Sequence, residues 1–210
     1  MSATSTKPAF SIVYLVRHGE TSWSATGQHT SLTDLSLTER GEEEARSLGP
    51  RLGGLAAQAV FTSPLKRAMR TCALAGFGSV AKIDEDLVEW NYGEYEGRRL
   101  AEIRSVRPGW DLFRDGCPGG ESPADVGARA DTFLRRLRAA PAQGVSLVFS
   151  SGHFLRVLAA RWLGLDPQGA RHLLLSTASL SALGYENDLS QPVIRLWNDT
   201  RRGGSAPGMG

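Results

Sequence analysis

Short apolar segments rich in β-branched residues alternate with amphipathic segments along most of the chain. Such runs are typical of strands that are buried on both faces of a parallel sheet. The clearest strand candidates are 10–16, 59–62 and 144–149, with a further one at 80–83. Because strands that alternate with helices place helices on both sheet faces, we predict an α/β protein, a three-layer α/β/α sandwich around a mostly parallel central sheet.

The helices are predicted from their capping and proline signals. Thr38 is a candidate N-cap, and with acidic residues in the first turn that helix should extend to Leu52. Pro64 suits the first position of a second helix, ending near Ala75. Further helices are expected at 100–106, 123–138 and 154–163, and a closing hairpin at 179–185 and 193–197 with a turn at Glu186-Asn187-Asp188.

No linker, low-complexity stretch or internal repeat divides the chain, so residues 10–200 are expected to form a single domain. Residues 1–9 and 201–210 are expected to be flexible ends, since the last ten residues hold four Gly and one Pro. The sheet edge near 193–197 is apolar and is a candidate surface for a homodimer.

Composition narrows the classes of function. The 210 residues carry a formal net charge of +2, which gives no reason to expect nucleic acid or a membrane as a partner. The 2 cysteines disfavour a disulfide scaffold, and we find no cluster that would bind a metal. The start of the chain lacks the apolar stretch of a signal peptide, so we expect a cytoplasmic location.

Charged and polar clusters follow three of the predicted strands. In open α/β sheets, ligands bind at the carboxyl ends of the strands. After the first strand come Arg17, His18, Gly19 and Thr21. An arginine fork binds phosphate or carboxylate, a threonine hydroxyl adds a donor, and a neutral imidazole is a competent phosphoryl acceptor near pH 7. Taken alone, this cluster is equally compatible with a His that merely ends a strand.

The second cluster provides a cation and the third provides a carboxyl group for the predicted site. Arg67 lies one turn into the helix after the second strand, where a helix N-terminus favours an anion. Taken alone, this cluster is also explained by a basic helix that faces solvent. Glu89 stands among aromatic residues, an environment that raises a carboxyl pKa and suits a general acid, while structural packing of this loop is the alternative. Trp23 and Trp90 are the tryptophans that we expect to line a substrate site.

The motifs R-H-G-E-T from Arg17, S-P-L-K-R-A-x-x-T from Ser63 and E-x-x-Y-G-x-x-E-G from Glu89 occur in this order. Together they resemble the histidine phosphatase superfamily, with its phosphoglycerate mutase-like fold, over about residues 10–185. Segments 27–34 and 110–122 extend the likeness, which is strongest toward the acid-phosphatase and sedoheptulose-bisphosphatase-like members.

The resemblance implies roles for individual residues. His18 matches the nucleophile that receives the phosphoryl group, Arg17 and Arg67 match the phosphate-clamping arginines, and Glu89 matches the proton donor. Thr30 matches a position that lines the substrate pocket, and His29 lies nearby, where contact with the leaving group and a surface loop position are equally compatible with the sequence. No metal or other cofactor is implied, because the two guanidinium groups take the place of a cation.

The sequence departs from the family pattern after the fourth strand. There the pattern has (Ser/Ala)-His-Gly, but the second catalytic His is replaced by Ser151, followed by Gly152 and His153. Three interpretations remain open: a working enzyme in which the Ser151 hydroxyl or His153 fills the role, an introduced change, or a protein that binds phosphate esters without turnover. Loss of one preorganised donor slows phosphoryl transfer by roughly 10²–10³.

We therefore expect a phosphatase of small phosphorylated metabolites, which binds such a substrate and inorganic phosphate and forms a phosphohistidine on His18. A mutase is the alternative chemistry, disfavoured because the region between Glu89 and Gly120 is short. A non-catalytic module that binds phosphate esters is the alternative of a different class.

Overall fold

A computed structural model describes residues 10–139 and 144–202, and its centre is a six-stranded sheet. The strands are β1 (Ile12–Arg17), β2 (Ala57–Thr62), β3 (Lys82–Ile83), β4 (Val145–Ser150), β5 (Leu180–Tyr185) and β6 (Pro192–Asp199). Their order is β3-β2-β4-β1-β5-β6. The first four run parallel, while β5 is antiparallel to β1 and β6 is antiparallel to β5. The prediction of a mostly parallel sheet is confirmed.

Seven α-helices connect and cover the strands in the described part of the chain. They are α1 (Ser22–Thr26), α2 (Glu39–Leu52), α3 (Lys66–Leu74), α4 (Leu100–Val106), α5 (Leu112–Asp115), α6 (Pro123–Ala139) and α7 (Gly152–Trp162). Single 3₁₀ segments lie at Glu85–Leu87, Gly93–Tyr95 and Pro167–His172. None of the described helices combines the length and apolar character that crossing a bilayer requires.

The sheet is buried on both faces, which gives the three layers. Side chains alternate along a strand, so Tyr14 and Val16 of β1 face one side and Leu15 faces the other. The first side packs with Leu48 of α2 and also with Cys72 of α3. On the opposite side the core includes many residues of α6 and α7. The α/β/α sandwich is confirmed.

Two helix starts differ from the sequence prediction because distant carboxylates cap them. Pro64 is not the first residue of α3, which begins at Lys66. The Lys66 amide donates to Asp34 Oδ1 at 2.8 Å. Likewise α7 begins at Gly152 rather than at Phe154. A helix N-terminus has unsatisfied N–H groups, and caps supplied from far along the chain leave no local signal. The cap of α2 is local, and Thr38 accepts from the Gly41 amide as predicted.

The closing hairpin forms between β5 and β6, but its connection is longer than the predicted turn, since the Glu186 amide donates to the Gln191 carbonyl at 3.0 Å. β6 lies at the edge of the sheet, where the homodimer stays a prediction. Of the predicted flexible ends, 1–9 and 203–210 lie outside the described residues. Arg201 lies inside them and forms an ion pair with Asp199 at 2.7 Å.

The parallel strands bring the three polar clusters to one edge of the sheet. Arg17 at the end of β1 is paired with Ser150 at the end of β4, and Thr62 at the end of β2 is paired with Phe149 of β4. The residues that follow these strands therefore lie next to one another.

Candidate active site

A cleft of about 160 Å³ lies at the carboxyl edge of the parallel strands. Loops after β1, β3 and β4 contribute its walls. The lining residues are Arg17, His18, Ser24, Gly27, Gln28, His29, Thr30, Glu89, Tyr92, Gly152, His153, Arg156 and Leu175. Most of the residues singled out in the sequence are thus assembled in one place.

A larger cavity, about 660 Å³, lies at the opposite edge of the sheet beside Val13 and Ser146. Its two arginines already have partners. Arg161 is paired with Asp131 at 2.9 Å, and the Arg138 guanidinium lies 4.9 Å from the centre of a tryptophan ring. The described residues that line this cavity do not combine a nucleophile, an acid and an unpaired cation, so the smaller cleft is the better candidate for catalysis.

His18 is buried and its backbone is held on both sides. Its amide donates to the Ser150 carbonyl at 3.0 Å, and its carbonyl accepts from the Ala178 amide at 3.0 Å. Its ring Nδ1 lies 2.8 Å from the Gly19 carbonyl. Because a carbonyl can only accept, Nδ1 carries the proton and Nε2 carries the lone pair. This tautomer makes Nε2 the nucleophilic atom.

The surroundings keep the His18 ring neutral. Burial, and then the positive charges of Arg67 and Arg17, lower the pKa of His18 well below its ordinary value. The loop that carries the ring packs tightly against the start of α2. A β-carbon on Gly19 would lie only 2.2 Å from the Gly41 carbonyl oxygen, so both glycines are needed for this approach.

Arg17 presents its guanidinium to the cleft from the end of β1. One nitrogen, Nη1, donates to the Leu175 carbonyl at 2.6 Å. Nε is buried and has no hydrogen-bond partner within residues 10–139 and 144–202. Gly152 packs directly on this group, where a β-carbon would be 3.0 Å from Nε. An unpaired buried N–H is costly, so Arg17 Nε is placed to bind a ligand atom.

Arg67 is fully buried at the start of α3 and binds the loop that follows α1. Its terminal nitrogens donate to the carbonyls of Thr30 and Ser31 at 3.1 Å and of Thr33 at 3.3 Å. Its Nε, like that of Arg17, is buried and has no hydrogen-bond partner in the described part of the chain. Burial lowers the pKa of Arg67, an effect that the carboxylate of Glu89 opposes.

Glu89 is buried, and its carboxylate is bound by three backbone amides. Oε1 accepts from Trp90 at 2.9 Å and from Phe154 at 2.7 Å, and Oε2 accepts from His153 at 3.0 Å. Two of these amides belong to the first turn of α7, whose positive end attracts an anion. The sequence placed Glu89 among aromatic side chains, but these amides take the place of water around the carboxylate.

Ser151 lies where the family pattern has its second imidazole. It is the N-cap of α7 in position, but its side chain makes no capping hydrogen bond. The residue is fully buried, and no described residue forms a hydrogen bond with its Oγ. Ser151 is not among the residues that line the cleft, although Gly152, which follows it, is.

A wall of aromatic rings closes the outer side of the cleft. The His29 and His153 rings are stacked with 6.0 Å between centres, and Tyr92 lies edge-on to both. His29 Nδ1 lies 2.8 Å from the Arg98 carbonyl and therefore donates to it. Tyr92 Oη and His153 Nδ1 are 2.6 Å apart. Burial lowers the pKa of His29 and, well below its ordinary value, that of His153.

The structure does not bring every predicted residue into the cleft. Thr21 is fully buried as the N-cap of α1 and accepts from the Ser24 amide at 3.2 Å. Trp90 is a core residue that donates to the Glu121 carbonyl, and Trp23 is not among the lining residues. Thr30 does line the cleft, with its hydroxyl on the Gln28 carbonyl.

Sequence reasoning missed two residues of the cleft that carry chemistry. Tyr92 belongs to the motif that contains Glu89, but nothing in the pattern shows that its hydroxyl meets His153. Arg156 follows His153 by three positions on α7, and that spacing, which places residues on one helix face, is the signal that could have found it. Burial lowers the pKa of Arg156 to about 10, so it remains charged at neutral pH.

The arrangement suits phosphoryl transfer. A neutral imidazole with a fixed lone pair, the Arg17 guanidinium and a carboxylate line one small cleft. The Arg67 guanidinium is not among the lining residues but is buried beside them, close enough for its charge to act on His18. Transfer of a phosphoryl group depends on positioning and on stabilising the charge of its equatorial oxygens, which these groups can do without a metal ion.

Comparisons with known proteins agree with this chemistry. The family model described as Histidine phosphatase superfamily (branch 1) matches residues 13–200. An acid phosphatase of Mycobacterium tuberculosis is 37% identical over 86% of this chain and 89% of its own length. A sedoheptulose 1,7-bisphosphatase of Saccharomyces cerevisiae is 37% identical over 87% of this chain and 77% of its own. A solved structure of a Mycobacterium tuberculosis protein, 35% identical, superposes with a TM-score of 0.85 and covers 90% of this chain and 97% of that one.

Proposed function

The chain belongs to the histidine phosphatase superfamily (branch 1), and from this membership we propose that it is a metal-independent phosphatase of small phosphorylated metabolites that works through a phosphohistidine on His18. One observation carries the proposal. Three buried groups at the carboxyl edge, Arg17 Nε, Arg67 Nε and Ser151 Oγ, have no hydrogen-bond partner among the residues that the structure describes. A phosphoryl group entering beside His18 would provide the oxygens that these groups lack.

In the first step, His18 Nε2 attacks phosphorus in line with the leaving oxygen. A nitrogen–phosphorus bond forms as the bond from phosphorus to the substrate oxygen breaks. Arg17 and Arg67 stabilise the charge on the three equatorial oxygens. Glu89 takes up a proton before this step and delivers it to the departing alkoxide, so that the product leaves as a neutral alcohol.

In the second step, water cleaves the phosphohistidine. Glu89 is now a carboxylate, the form that the amides of Trp90, His153 and Phe154 stabilise. It accepts a proton from the attacking water, the nitrogen–phosphorus bond breaks, and His18 regains its lone pair. Phosphate departs and Glu89 is protonated again, so the cycle consumes one water and releases alcohol and phosphate.

The dimensions and charge of the cleft favour a small substrate. Its volume of about 160 Å³ leaves little room beyond the phosphoryl group and a few further atoms. Gln28, Tyr92 and Arg156 line it and provide polar contacts for hydroxyl or anionic groups of the substrate. These contacts support a polar metabolite rather than a phosphorylated protein as the substrate.

The experiment compares release of inorganic phosphate from an aryl phosphate by the unmodified protein, His18→Ala and His172→Ala. His172 is exposed and lies outside the cleft, so that variant is a matched control. We expect turnover in the first and third proteins and none in His18→Ala, and acid-quenched enzyme should carry phosphate on His18. Turnover by His18→Ala would contradict the proposal.

Two further measurements on the unmodified protein separate the alternatives. Interconversion of phosphoglycerates without net phosphate release would identify a mutase. Binding of inorganic phosphate without turnover of any ester would identify a non-catalytic module.

A further inference from the structure

We propose that His153, oriented by Tyr92, donates a hydrogen bond from Nε2–H to the transferring phosphoryl group, and so takes over the work of the imidazole that is absent at Ser151. The proposal rests on the function proposed above, since it assigns a further catalytic residue to that reaction. His153 lines the same cleft as His18 and Arg17.

The contact with Tyr92 determines which nitrogen of the His153 ring carries the proton. Tyr92 Oη lies 2.6 Å from Nδ1, and no other described residue hydrogen-bonds to this hydroxyl. If Nδ1–H were the donor, the buried phenol proton would have no acceptor. Tyr92 is therefore the donor, Nδ1 is the acceptor, and the proton of the neutral ring is on Nε2.

The protonation states agree with this geometry. Burial, and then the charges of Glu89 and Cys117, raise the pKa of Tyr92 well above its ordinary value, so the phenol keeps its proton. Burial, and then the charges of Arg156, His29 and Arg17, lower the pKa of His153. The pair thus consists of a neutral phenol and a neutral imidazole.

The three imidazoles of the cleft differ in which ring nitrogen carries the proton. His18 donates its Nδ1 proton to the Gly19 carbonyl, and His29 donates its Nδ1 proton to the Arg98 carbonyl. When neutral, both rings present only a lone pair at Nε2. His153 has the opposite tautomer. Among the three, it alone can donate to a phosphoryl oxygen from a neutral ring.

His153 is held rigidly, which matters because a donor stabilises a transition state only if it is held in place. The backbone amide of His153 donates to Glu89 Oε2 at 3.0 Å. The preceding residue, Gly152, packs against the Arg17 guanidinium. The ring itself lies between His29, with centres 6.0 Å apart, and Phe113, with centres 5.4 Å apart. His153 is thereby fixed relative to both the acid and the phosphate clamp.

The first experiment is a double-mutant cycle on kcat/KM for an aryl phosphate, with His153→Ala, Ser151→His and the two combined. We expect His153→Ala alone to lower kcat/KM by roughly 10²–10³, the usual effect of removing one such donor. With Ser151→His present, the same change should cost less than about threefold, because the restored imidazole supplies the donor.

His29→Ala is the matched variant in this cycle, since it removes a stacked ring that presents no N–H to the cleft. It should lower kcat/KM by the same factor in both backgrounds. The proposal is wrong if His153→Ala lowers kcat/KM by the same factor with and without Ser151→His, or by less than about threefold in the unmodified protein. Either result would give His153 a packing role only.

The second experiment does not depend on the folding of Ser151→His. Imidazole ¹⁵N shifts of the uniformly labelled protein, assigned with His153→Gln, report which ring nitrogen carries the proton. We expect Nε2–H for His153 and Nδ1–H for His18 and His29, and a mixture of tautomers for His153 in Tyr92→Phe. Nδ1–H on His153 in the unmodified protein would overturn the proposal. If His18→Ala retains turnover, the phosphohistidine mechanism fails instead, which is a separate result.

Discussion

Arg17 and Gly152 are packed so closely that a β-carbon on Gly152 would lie 3.0 Å from Arg17 Nε and 3.1 Å from its central carbon. The guanidinium is also tied to the Leu175 carbonyl at 2.6 Å, so it cannot retreat without breaking that bond. The position of the Arg17 guanidinium therefore depends on the start of α7.

Gly152→Ala tests this relationship. We expect the added methyl group to displace Arg17 by a few tenths of an ångström and to lower kcat/KM by roughly tenfold to a hundredfold, because misplaced catalytic groups lose rate steeply. Gly54→Ala is the control, since a β-carbon there meets nothing within 4 Å. Steady-state kinetics check the prediction, and equal rates for the two variants would contradict it.

Glu89→Gln should affect both stability and activity. An amide nitrogen at the position of Oε2 would face the His153 N–H, leaving a buried donor unsatisfied at a cost of about 1–3 kcal/mol. Without a proton to deliver, the variant should also lose roughly 10²–10⁴ in kcat. Denaturant unfolding and kinetics measure the two effects.

Glu94→Gln is the control for this substitution, because Glu94 is exposed and lies outside the cleft lining. It should match the unmodified protein in both measurements. A stable and fully active Glu89→Gln would show that this carboxylate is not the proton donor.

The pH behaviour of His18 follows from its depressed pKa. A histidine of ordinary pKa is half-protonated near about 6.5. Because burial, Arg67 and Arg17 lower the pKa of His18, its ring should stay neutral as the pH falls through that value. NMR titration of the ring checks this directly, without interference from titration of the substrate phosphate. A midpoint of the His18 titration at or above about 6.5 would contradict the effect of burial, Arg67 and Arg17 on this ring.

Asp199 should make acid stability depend on the end of β6. Hydrogen bonds from Arg201, with the charge of Arg51, lower the pKa of Asp199 to about 2. A depressed pKa stabilises the fold above the unfolded value of about 3.9, and the contribution is lost as the pH falls toward the folded value. Asp199→Asn should therefore be less stable than the unmodified protein at pH 7, and the difference should shrink between about pH 4 and pH 2.

Denaturant unfolding across this pH range measures the effect, with Asp166→Asn as the control. Asp166 is exposed and its side chain caps nothing. A stability difference for Asp199→Asn that stays constant down to pH 2 would show that the ion pairs to Arg51 and Arg201 do not respond to protonation of this carboxyl.

The features that sequence reasoning predicted well are local or periodic. The strands at the centre of the sheet are encoded by mainly apolar runs, and the Thr38 cap by a hydroxyl three residues before the amide that it binds. The order of the motifs placed Arg17, His18, Arg67 and Glu89 in one site because parallel strands end at the same edge. The structure brings Arg17, His18 and Glu89 to line one cleft there, with Arg67 buried beside it.

The features that it missed depend on partners far apart in the chain. Lys66 and Asp34 are 32 positions apart, yet the Asp34 carboxylate accepts a hydrogen bond from the first amide of α3. Thr21 was assigned to the substrate because a hydroxyl near a phosphate motif suggests a donor, but its nearer partner is the Ser24 amide three residues on. Local hydrogen bonds of this kind compete with ligand contacts, and a motif alone does not show which one forms.

Sequence alone determined the fold class, the family and the identity of the nucleophile candidate, because hydrophobic periodicity and ordered motifs record these directly. Tertiary structure alone decided the protonation pattern of the cleft. Which nitrogen of His18, His29 or His153 carries a proton depends on whether Gly19, Arg98 or Tyr92 faces its Nδ1. Two of these partners lie more than 60 positions away, and only the packed chain brings their dipoles within hydrogen-bonding distance.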